Sequence, residues 1–320
     1  MKEAFDVAVM HDFFVDRLVH TGGISKLTES VVGKAERGGG GIHGIAQQDH
    51  GGGNAVNLAH ALARLGLRTL LITHADLIHE RLLKNPFEGL DAEVRVKSSP
   101  PGLTVVLEGE VNLMLRDLGG AEEFGPELLD ADDWKALGAA EVVCSVNWAA
   151  NKKGTRLLAA LRTRLGREKS IFIDPADFSD RAREFARLLA LVRERRLVDW
   201  MSLNEEEALE ALKILGARAK GPRDACASLF HLLRIGIDVH TARESFSCDG
   251  SKVTTVRTKK VLTHTLTGAS DVWDAGSIYG RLKGLTDFDR LRFANTAAEL
   301  YIAARSSAPP DLVDVLDALR

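Results

Sequence analysis

The sequence is poor in cysteine and has no long apolar run. Its 320 residues include three cysteines, Cys144, Cys226 and Cys248, which are odd in number and lack C-x-x-C spacing. This pattern argues against a disulfide framework and a structural zinc site, and it favours a reducing cytoplasm. No apolar stretch approaches 18 residues, and the short N-terminal one is interrupted by His11 and Asp12. We therefore expect neither a membrane span nor a secretory signal.

An excess of one charge sign is also missing. The 42 basic and 45 acidic residues leave a net charge of −3, too small a field to hold nucleic acid or an anionic membrane. Hydrophobic residues make up 45% of the chain, which is enough to build a large core. The composition indicates a globular, enzyme-sized protein without nucleic-acid or membrane partners.

Short β-rich apolar runs alternate with stretches of helical periodicity through most of the chain. Examples in order are "FDVAVM", "NAVNLAHALARLG", "RTLLIT", "AEVVCSV" and "GTRLLAALRTRLG". This alternation predicts βαβ units and a doubly wound α/β fold, with a mostly parallel sheet covered by helices on both faces. No linker rich in Pro or Ser interrupts it, so we expect one domain over residues 1–320.

Two segments break the α/β alternation. Residues 12–50 are polar and glycine-rich with no convincing helix, and residues 92–116 alternate like antiparallel strands joined by a Glu-Gly turn. Together they predict a small β-sheet lid. At the C-terminus, two helical stretches are separated by Pro309 and Pro310.

The glycine run "RGGGGIHG" contains a formal G-x-G-x-x-G pattern. It lacks the preceding strand and following helix of a dinucleotide-binding turn. A mobile loop is the better interpretation, and a nicotinamide-dependent oxidoreductase is a distant alternative.

Two motifs near the N-terminus suit a polyhydroxylated ligand. In "HGGGNAVNLAH", glycines lead into a helix with Asn54 as the expected N-cap, while Asn57 is a poor helix former whose amide suits ligand hydroxyls. A simple turn and capped helix is the alternative. "HDFFVDRL" follows the first predicted strand, where carboxylates can hold hydroxyl groups. Alternation favours Asp16 over Asp12, although either could be a surface acid.

Two strand-to-helix junctions lie further along the chain. In "SLNEEEALEAL", Asn204 is the expected N-cap, and the carboxylates of Glu205 to Glu207 exceed what a cap needs and suit a magnesium–phosphate site. In "THTLTGASDVWDAG", amides of the Gly-Ala-Ser turn can converge on an anion beside Asp271. A plain helix cap by Asp271 or Ser270 is the alternative, but an anion cradle beside a base is what phosphoryl transfer to an alcohol requires.

In this order and at these separations, the motifs resemble the ribokinase-like (PfkB-type) carbohydrate kinase family over nearly the whole chain. The resemblance implies that Asp271 is the catalytic base and that Gly268, Ala269 and Ser270 form the anion hole. It places Asn204 and Glu207 near the nucleotide phosphates, with Glu207 reaching magnesium through water. The acceptor would contact Asp16, Gly52, Gly53, Asn57 and Asn147, and the nucleotide would contact Thr241, Arg243 and Asn295.

The sequence departs from the family pattern at several positions. Ser270 stands for the glycine before the base, Thr265-Leu266 for Asp-Thr, and Arg243 for a glycine of the nucleotide-binding turn. A serine keeps its backbone N–H, so the anion hole survives if this position does not require a positive φ.

The resemblance implies a kinase that uses ATP and Mg²⁺ to phosphorylate a hydroxyl of a sugar, polyol or nucleoside. The lids could also pair two chains into a homodimer. A catalytically silent ligand sensor or scaffold is the alternative. The joint presence of Asp271, Asn204, Glu207 and Asn57 weighs against it, because a scaffold needs none of them.

Overall fold

The computed structural model describes residues 4–108, 113–250, 252–306 and 308–320. Its strands in chain order are β1 (Val7–His11), β2 (Phe14–His20), β3 (Ala46–Gly52), β4 (Thr69–Ala75), β5 (Ala92–Ser98), β6 (Gly102–Glu108), β7 (Leu113–Asp117), β8 (Val142–Val146), β9 (Ser170–Asp174), β10 (Trp200–Asn204), β11 (Gly236–His240), β12 (Glu244–Cys248) and β13 (Thr254–Arg257).

The main sheet has nine strands in the order β13-β12-β11-β10-β9-β8-β1-β4-β5. Every neighbouring pair from β11 to β5 is parallel, whereas β12 and β13 add antiparallel to the edge. The predicted doubly wound, mostly parallel sheet is confirmed. Since β1 and β8 are buried along their whole length, their sequences are nearly continuous apolar runs rather than alternating ones.

A second sheet of four strands, in the order β3-β2-β6-β7, forms the lid. The prediction that residues 92–116 belong to the lid is wrong for the first strand of this segment, because β5 pairs in parallel with β4 at the edge of the main sheet. The lid's second segment therefore starts at Gly102. The expected Glu-Gly connection between β6 and β7 falls on residues 109–112, outside the described residues.

The helices in chain order are α1 (Ile24–Ala35), α2 (Asn54–Arg64), α3 (Glu80–Lys84), α4 (Ala131–Ala139), α5 (Gly154–Leu165), α6 (Ala182–Arg195), α7 (Glu205–Ile214), α8 (Pro222–Leu233), α9 (Ala269–Leu282), α10 (Asp287–Ala303) and α11 (Leu312–Leu319). The break at Pro309 and Pro310 between α10 and α11 is as predicted. The absence of a helix from residues 12–50 was a wrong expectation, since α1 lies there. Helix α1 buries no residue, and Thr28, Val31 and Gly33 within it are weak helix formers, so helix propensity did not indicate it.

Helices cover both faces of the main sheet. On β1, Ala8 and Met10 pack into a core with residues of α5 to α8, whereas Val7 and Val9 pack into another core with α2, α9 and α10. Because the strands are parallel, their carboxyl ends lie at one common edge of the sheet. Helices α2, α7 and α9 begin at this edge. In the described parts of the chain, no helix is both long and apolar enough to span a membrane.

Candidate active site

Asp271 lies in the first turn of α9, at the carboxyl edge of the main sheet. The helix starts after Gly268, whose φ of +83° favours glycine. Asp271 is buried, and its two carboxylate oxygens accept hydrogen bonds from Nδ2 of Asn54 and Nδ2 of Asn57, each at 2.9 Å. Asp271 is therefore not a helix cap, because its side chain is oriented by two amides of α2.

Burial raises the pKa of Asp271 well above its usual value, and the charges of Asp174 and Asp12 add to the effect, while the Asn57 and Asn54 amides oppose it. A carboxylate with a raised pKa is a stronger proton acceptor once it is ionised. The site therefore favours Asp271 as a base when positive charge is bound nearby.

The Gly-Ala-Ser turn presents amide groups beside Asp271. Ala269 N–H donates to the Leu266 carbonyl at 3.1 Å, so this amide is already engaged. Within the described residues no acceptor is placed for the N–H groups of Gly268 and Ser270. Unsatisfied donors at a helix N-terminus attract anions. Of the three predicted anion-hole amides, two are thus available.

Ser270 takes an ordinary helical conformation. It lies within α9 and is not among the residues with positive φ, so the glycine usual at this position is not required for the backbone shape. Its Oγ lies 3.2 Å from Nε2 of His240, at the end of β11. Burial lowers the pKa of His240 to about 4, so this imidazole is neutral at pH 7. The substitution leaves the Ser270 N–H in place.

Asp12 is buried and binds the start of α2, a role that the sequence did not indicate. Its carboxylate accepts hydrogen bonds from the N–H groups of Asn54 (2.9 Å) and Ala55 (3.0 Å) and from Nδ2 of Asn147 (2.8 Å). Asp12 therefore caps α2 from another segment, and the expected N-cap role of Asn54 is wrong. The N-cap position is Gly53. Because Asn54 does not cap the helix with its side chain, that side chain reaches Asp271. Asn147 donates to Asp12 and so orients this carboxylate.

A cleft of about 710 Å³ opens between the lid and the edge of the main sheet. Asp16 lines it from β2, together with Gly52 and Asn57. A Cβ on Gly52 would lie 2.2 Å from Oδ2 of Asp16, so only glycine leaves room for this carboxylate. Burial raises the pKa of Asp16, and a hydrogen bond with Thr104 opposes the shift. The cleft is also lined by Leu18, His50, Val56, His60, Leu82, Val106, Met114, Arg116, Leu266 and Tyr301.

Asn204 and Glu207 form the capping box of α7. Asn204 Oδ1 accepts from Glu207 N–H and Glu207 Oε2 accepts from Asn204 N–H, both at 2.9 Å, so the predicted N-cap is confirmed. Burial raises the pKa of Glu207 to about 8, with the charge of Asp174 as the next contribution. Burial likewise raises the pKa of Asp174 to about 6.

Sequence reasoning missed two further buried carboxyl groups, those of Asp174 and Asp274. Asp174 ends β9 and could have been found by its position at the end of a parallel strand. Asp274 follows Asp271 by one turn of α9, and burial and the charge of Asp174 raise its pKa well above the usual value. This concentration of carboxyl groups suits a bound cation. Among the described residues, however, no group of three or more His, Cys, Asp or Glu is arranged to hold a metal directly.

The residues expected at the nucleotide lie further out. Thr241 and Arg243 form the turn between β11 and β12, in which Thr241 Oγ1 accepts from Arg243 N–H at 3.1 Å and the Arg243 side chain is exposed. Asn295 is buried in α10, where its Oδ1 accepts from Trp273 Nε1 at 2.8 Å. It also lines a cavity of about 410 Å³ beside β13. The structure does not bring these three residues into contact with Asp271.

The sequence matches the family model described as pfkB family carbohydrate kinase over residues 29–312. The chain belongs to the pfkB family. No curated protein matches the sequence.

Solved structures with the pfkB-type fold are similar over almost their whole length. The ribokinase of Arabidopsis thaliana complexed with ribose and ATP is 19% identical, with 99% of each chain covered and a TM-score of 0.78. Ribokinase from Thermotoga maritima is 17% identical, with 98% of this chain and 99% of that chain covered and a TM-score of 0.80. Adenosine kinase from Sinorhizobium meliloti is 19% identical, with 99% of each chain covered and a TM-score of 0.77. At these identities the structures show the ribokinase-like fold, and family membership supports a kinase.

Proposed function

We propose that this protein is an ATP- and Mg²⁺-dependent kinase that phosphorylates a hydroxyl of a sugar, polyol or nucleoside. The observation that carries the proposal is the buried Asp271 carboxylate at the start of α9. Two amides orient it, and the Gly268 and Ser270 N–H groups lie beside it. A proton acceptor next to an anion cradle is the arrangement that phosphoryl transfer to an alcohol uses. The ribokinase complexed with ribose and the adenosine kinase among the similar structures support a polyhydroxylated acceptor.

On the acceptor side, Asp16 would accept hydrogen bonds from two hydroxyl groups, with Asn57 donating to a third oxygen. Gly52 and Gly53 would let the ligand approach the backbone closely. The reacting hydroxyl would then lie next to Asp271, which takes its proton as the oxygen attacks phosphorus. Asn147 would contribute indirectly, by holding Asp12 and so the start of α2.

On the donor side, the Gly268 and Ser270 N–H groups would bind the transferred phosphoryl group. A magnesium ion bound there would neutralise negative charge on the transferred group. Glu207 would hold that ion through water, by its carboxylate oxygen outside the capping box. Burial is the main cause of the raised pKa of Glu207 and the charge of Asp174 comes next, so a nearby cation would favour the ionised carboxylate. Thr241, Arg243 and Asn295 would contact the nucleotide.

The lid would close over the acceptor and exclude water, which otherwise competes as phosphoryl acceptor. Its outer face also exposes Leu103, Leu113 and Leu115, which are 46%, 47% and 57% accessible. Apolar side chains on the outer face of a sheet favour pairing with another chain, and this supports a homodimer formed through two lids. Sedimentation velocity distinguishes such a dimer from a monomer.

The test is magnesium-dependent consumption of ATP with a panel of sugars, polyols and nucleosides, comparing the wild type with Asp271→Asn. We expect kcat to fall by at least about 10³-fold, because the base is lost, while acceptor KM changes little. Asp317→Asn, which changes an exposed carboxylate of α11, serves as the matched control. Undiminished turnover by Asp271→Asn would remove this residue from the mechanism. Silence of the wild type across the panel, despite tight nucleotide binding, would favour a ligand sensor.

A further inference from the structure

The loop that leads into the anion cradle is held by the last turn of α10. This loop, residues 258–268, connects β13 to α9 and has no regular secondary structure. Lys259 N–H donates to Glu299 Oε1, and His264 N–H donates to the Ile302 carbonyl at 2.9 Å. Contacts from one helical turn thus reach the loop at two separate points.

A third contact from this turn comes from Tyr301 and falls next to the cradle. The Tyr301 hydroxyl donates to the Thr267 carbonyl at 2.8 Å. That carbonyl belongs to the peptide whose N–H is the Gly268 amide, so the hydrogen bond fixes the orientation of this peptide plane. A Cβ on Gly268 would lie 2.9 Å from the Tyr301 hydroxyl oxygen, which shows how closely the two approach.

The phenol is suited to act as a permanent donor. Tyr301 is only 7% accessible. Burial raises its pKa, and the nearby charge of Asp271 raises it further, so the hydroxyl keeps its proton throughout the neutral range.

The helix that carries Tyr301 packs closely against the helix that carries Asp271. Tyr279 of α9 stacks on Phe293 of α10 with ring centroids 4.7 Å apart. At Gly276 the two backbones approach so closely that a Cβ would lie 2.7 Å from Cα of Ala294. Because α9 and α10 pack closely together, a contact from Tyr301 relates the position of the loop to that of Asp271.

We propose that Tyr301 is a positioning residue for phosphoryl transfer: its hydrogen bond to Thr267 holds the Gly268 peptide so that the cradle amides face the transferred group. The inference rests on the proposed kinase function. Tyr301 also lines the acceptor cleft, so the experiment separates an effect on the cradle from one on acceptor binding.

The test compares Tyr301→Phe with Tyr279→Phe. Each substitution removes one hydroxyl and keeps the ring. Tyr279 is the other tyrosine of the sequence, and its ring is stacked on Phe293. Steady-state kinetics give kcat and both KM values, and slow ATP hydrolysis without acceptor is measured in parallel. We expect Tyr301→Phe to lower kcat and acceptor-independent hydrolysis together by about tenfold, with both KM values within about twofold, since one hydrogen bond is lost. Tyr279→Phe should match the wild type.

An unchanged kcat in Tyr301→Phe, or a rise in acceptor KM alone, would overturn the inference. Hydrogen exchange of the peptide spanning residues 262–270 gives a readout that needs no turnover. Exchange should be faster in Tyr301→Phe than in the wild type and unchanged in Tyr279→Phe, whereas equal rates in all three proteins would also reject the role. A wild type that transfers no phosphoryl group refutes the proposed function, and the exchange measurement still decides whether Tyr301 braces the loop.

Discussion

Replacing Glu207 by glutamine should stabilise the protein, and the gain should grow with pH. Burial is the largest cause of the raised pKa of Glu207, followed by the charge of Asp174. Glutamine has nearly the same shape and keeps an oxygen that can accept from Asn204 N–H, so the capping box of α7 survives. The substitution therefore removes a partly buried ionisable group while leaving the local hydrogen bonds in place.

The magnitude follows from the pKa shift. The pKa of Glu207 rises from 4.5 to about 8 on folding. The folded state therefore binds a proton that the unfolded chain has released, and the stability contributed below pH 4.5 is lost as pH rises to 8. At about 1.4 kcal/mol per pKa unit, the wild type loses about 5 kcal/mol over this range. Glu207→Gln has no such loss, so its advantage should be small near pH 4.5 and about 5 kcal/mol above pH 8.

Urea unfolding of the apo proteins at pH 5 and pH 9 measures this difference. Glu205→Gln, an exposed neighbour in the same helical turn, is the matched control and should show no pH-dependent advantage. Adding Mg²⁺ and ATP at pH 9 should stabilise the wild type more than Glu207→Gln, because the bound cation compensates the charge. A free-energy difference between Glu207→Gln and wild type that is equal at pH 5 and pH 9 would refute the reasoning.

Two further predictions concern stability. Gly53→Ala should lower the free energy of unfolding by about 2 kcal/mol in urea, because Gly53 has a φ of +106° and the new Cβ would lie 3.0 Å from the Asp12 carbonyl oxygen. Gly138→Ala, at an open helical position, should not destabilise, and equal losses at the two glycines would contradict the strain argument. Burial would raise the pKa of Asp238, but the Arg290 guanidinium outweighs it and lowers the pKa to about 2. This pair contributes stability above pH 4 that is lost as pH falls towards 2. Asp238→Ala should therefore cost about 3–5 kcal/mol at pH 7 in thermal or urea unfolding, and a loss no larger than that of Asp49→Ala at the surface would count against a buried ion pair.

Local sequence patterns determined much of the architecture. Apolar runs of five residues separated by helical periodicity were sufficient to predict the parallel sheet, since a strand buried on both faces needs apolar side chains along its whole length. The capping box of Asn204 and Glu207 was predictable because both partners lie within one helical turn. The glycine before α9 was also predictable from local sequence, because the positive φ of Gly268 is a property of that one residue.

The tertiary structure alone decided which of these residues meet and how their charges behave. Asn54 and Asn57 bond to Asp271 across more than 200 residues of chain, and Asp12 caps α2 across more than 40. Strand β5 was assigned to the wrong sheet because an alternating strand pairs equally well with either neighbour until the chain is packed. The raised pKa of Glu207 has the same origin, since burial and the proximity of Asp174 belong to the packed molecule. The sequence by itself determined which chemical groups were available at the site, and only packing decided their contacts and protonation, because both depend on segments far apart along the chain.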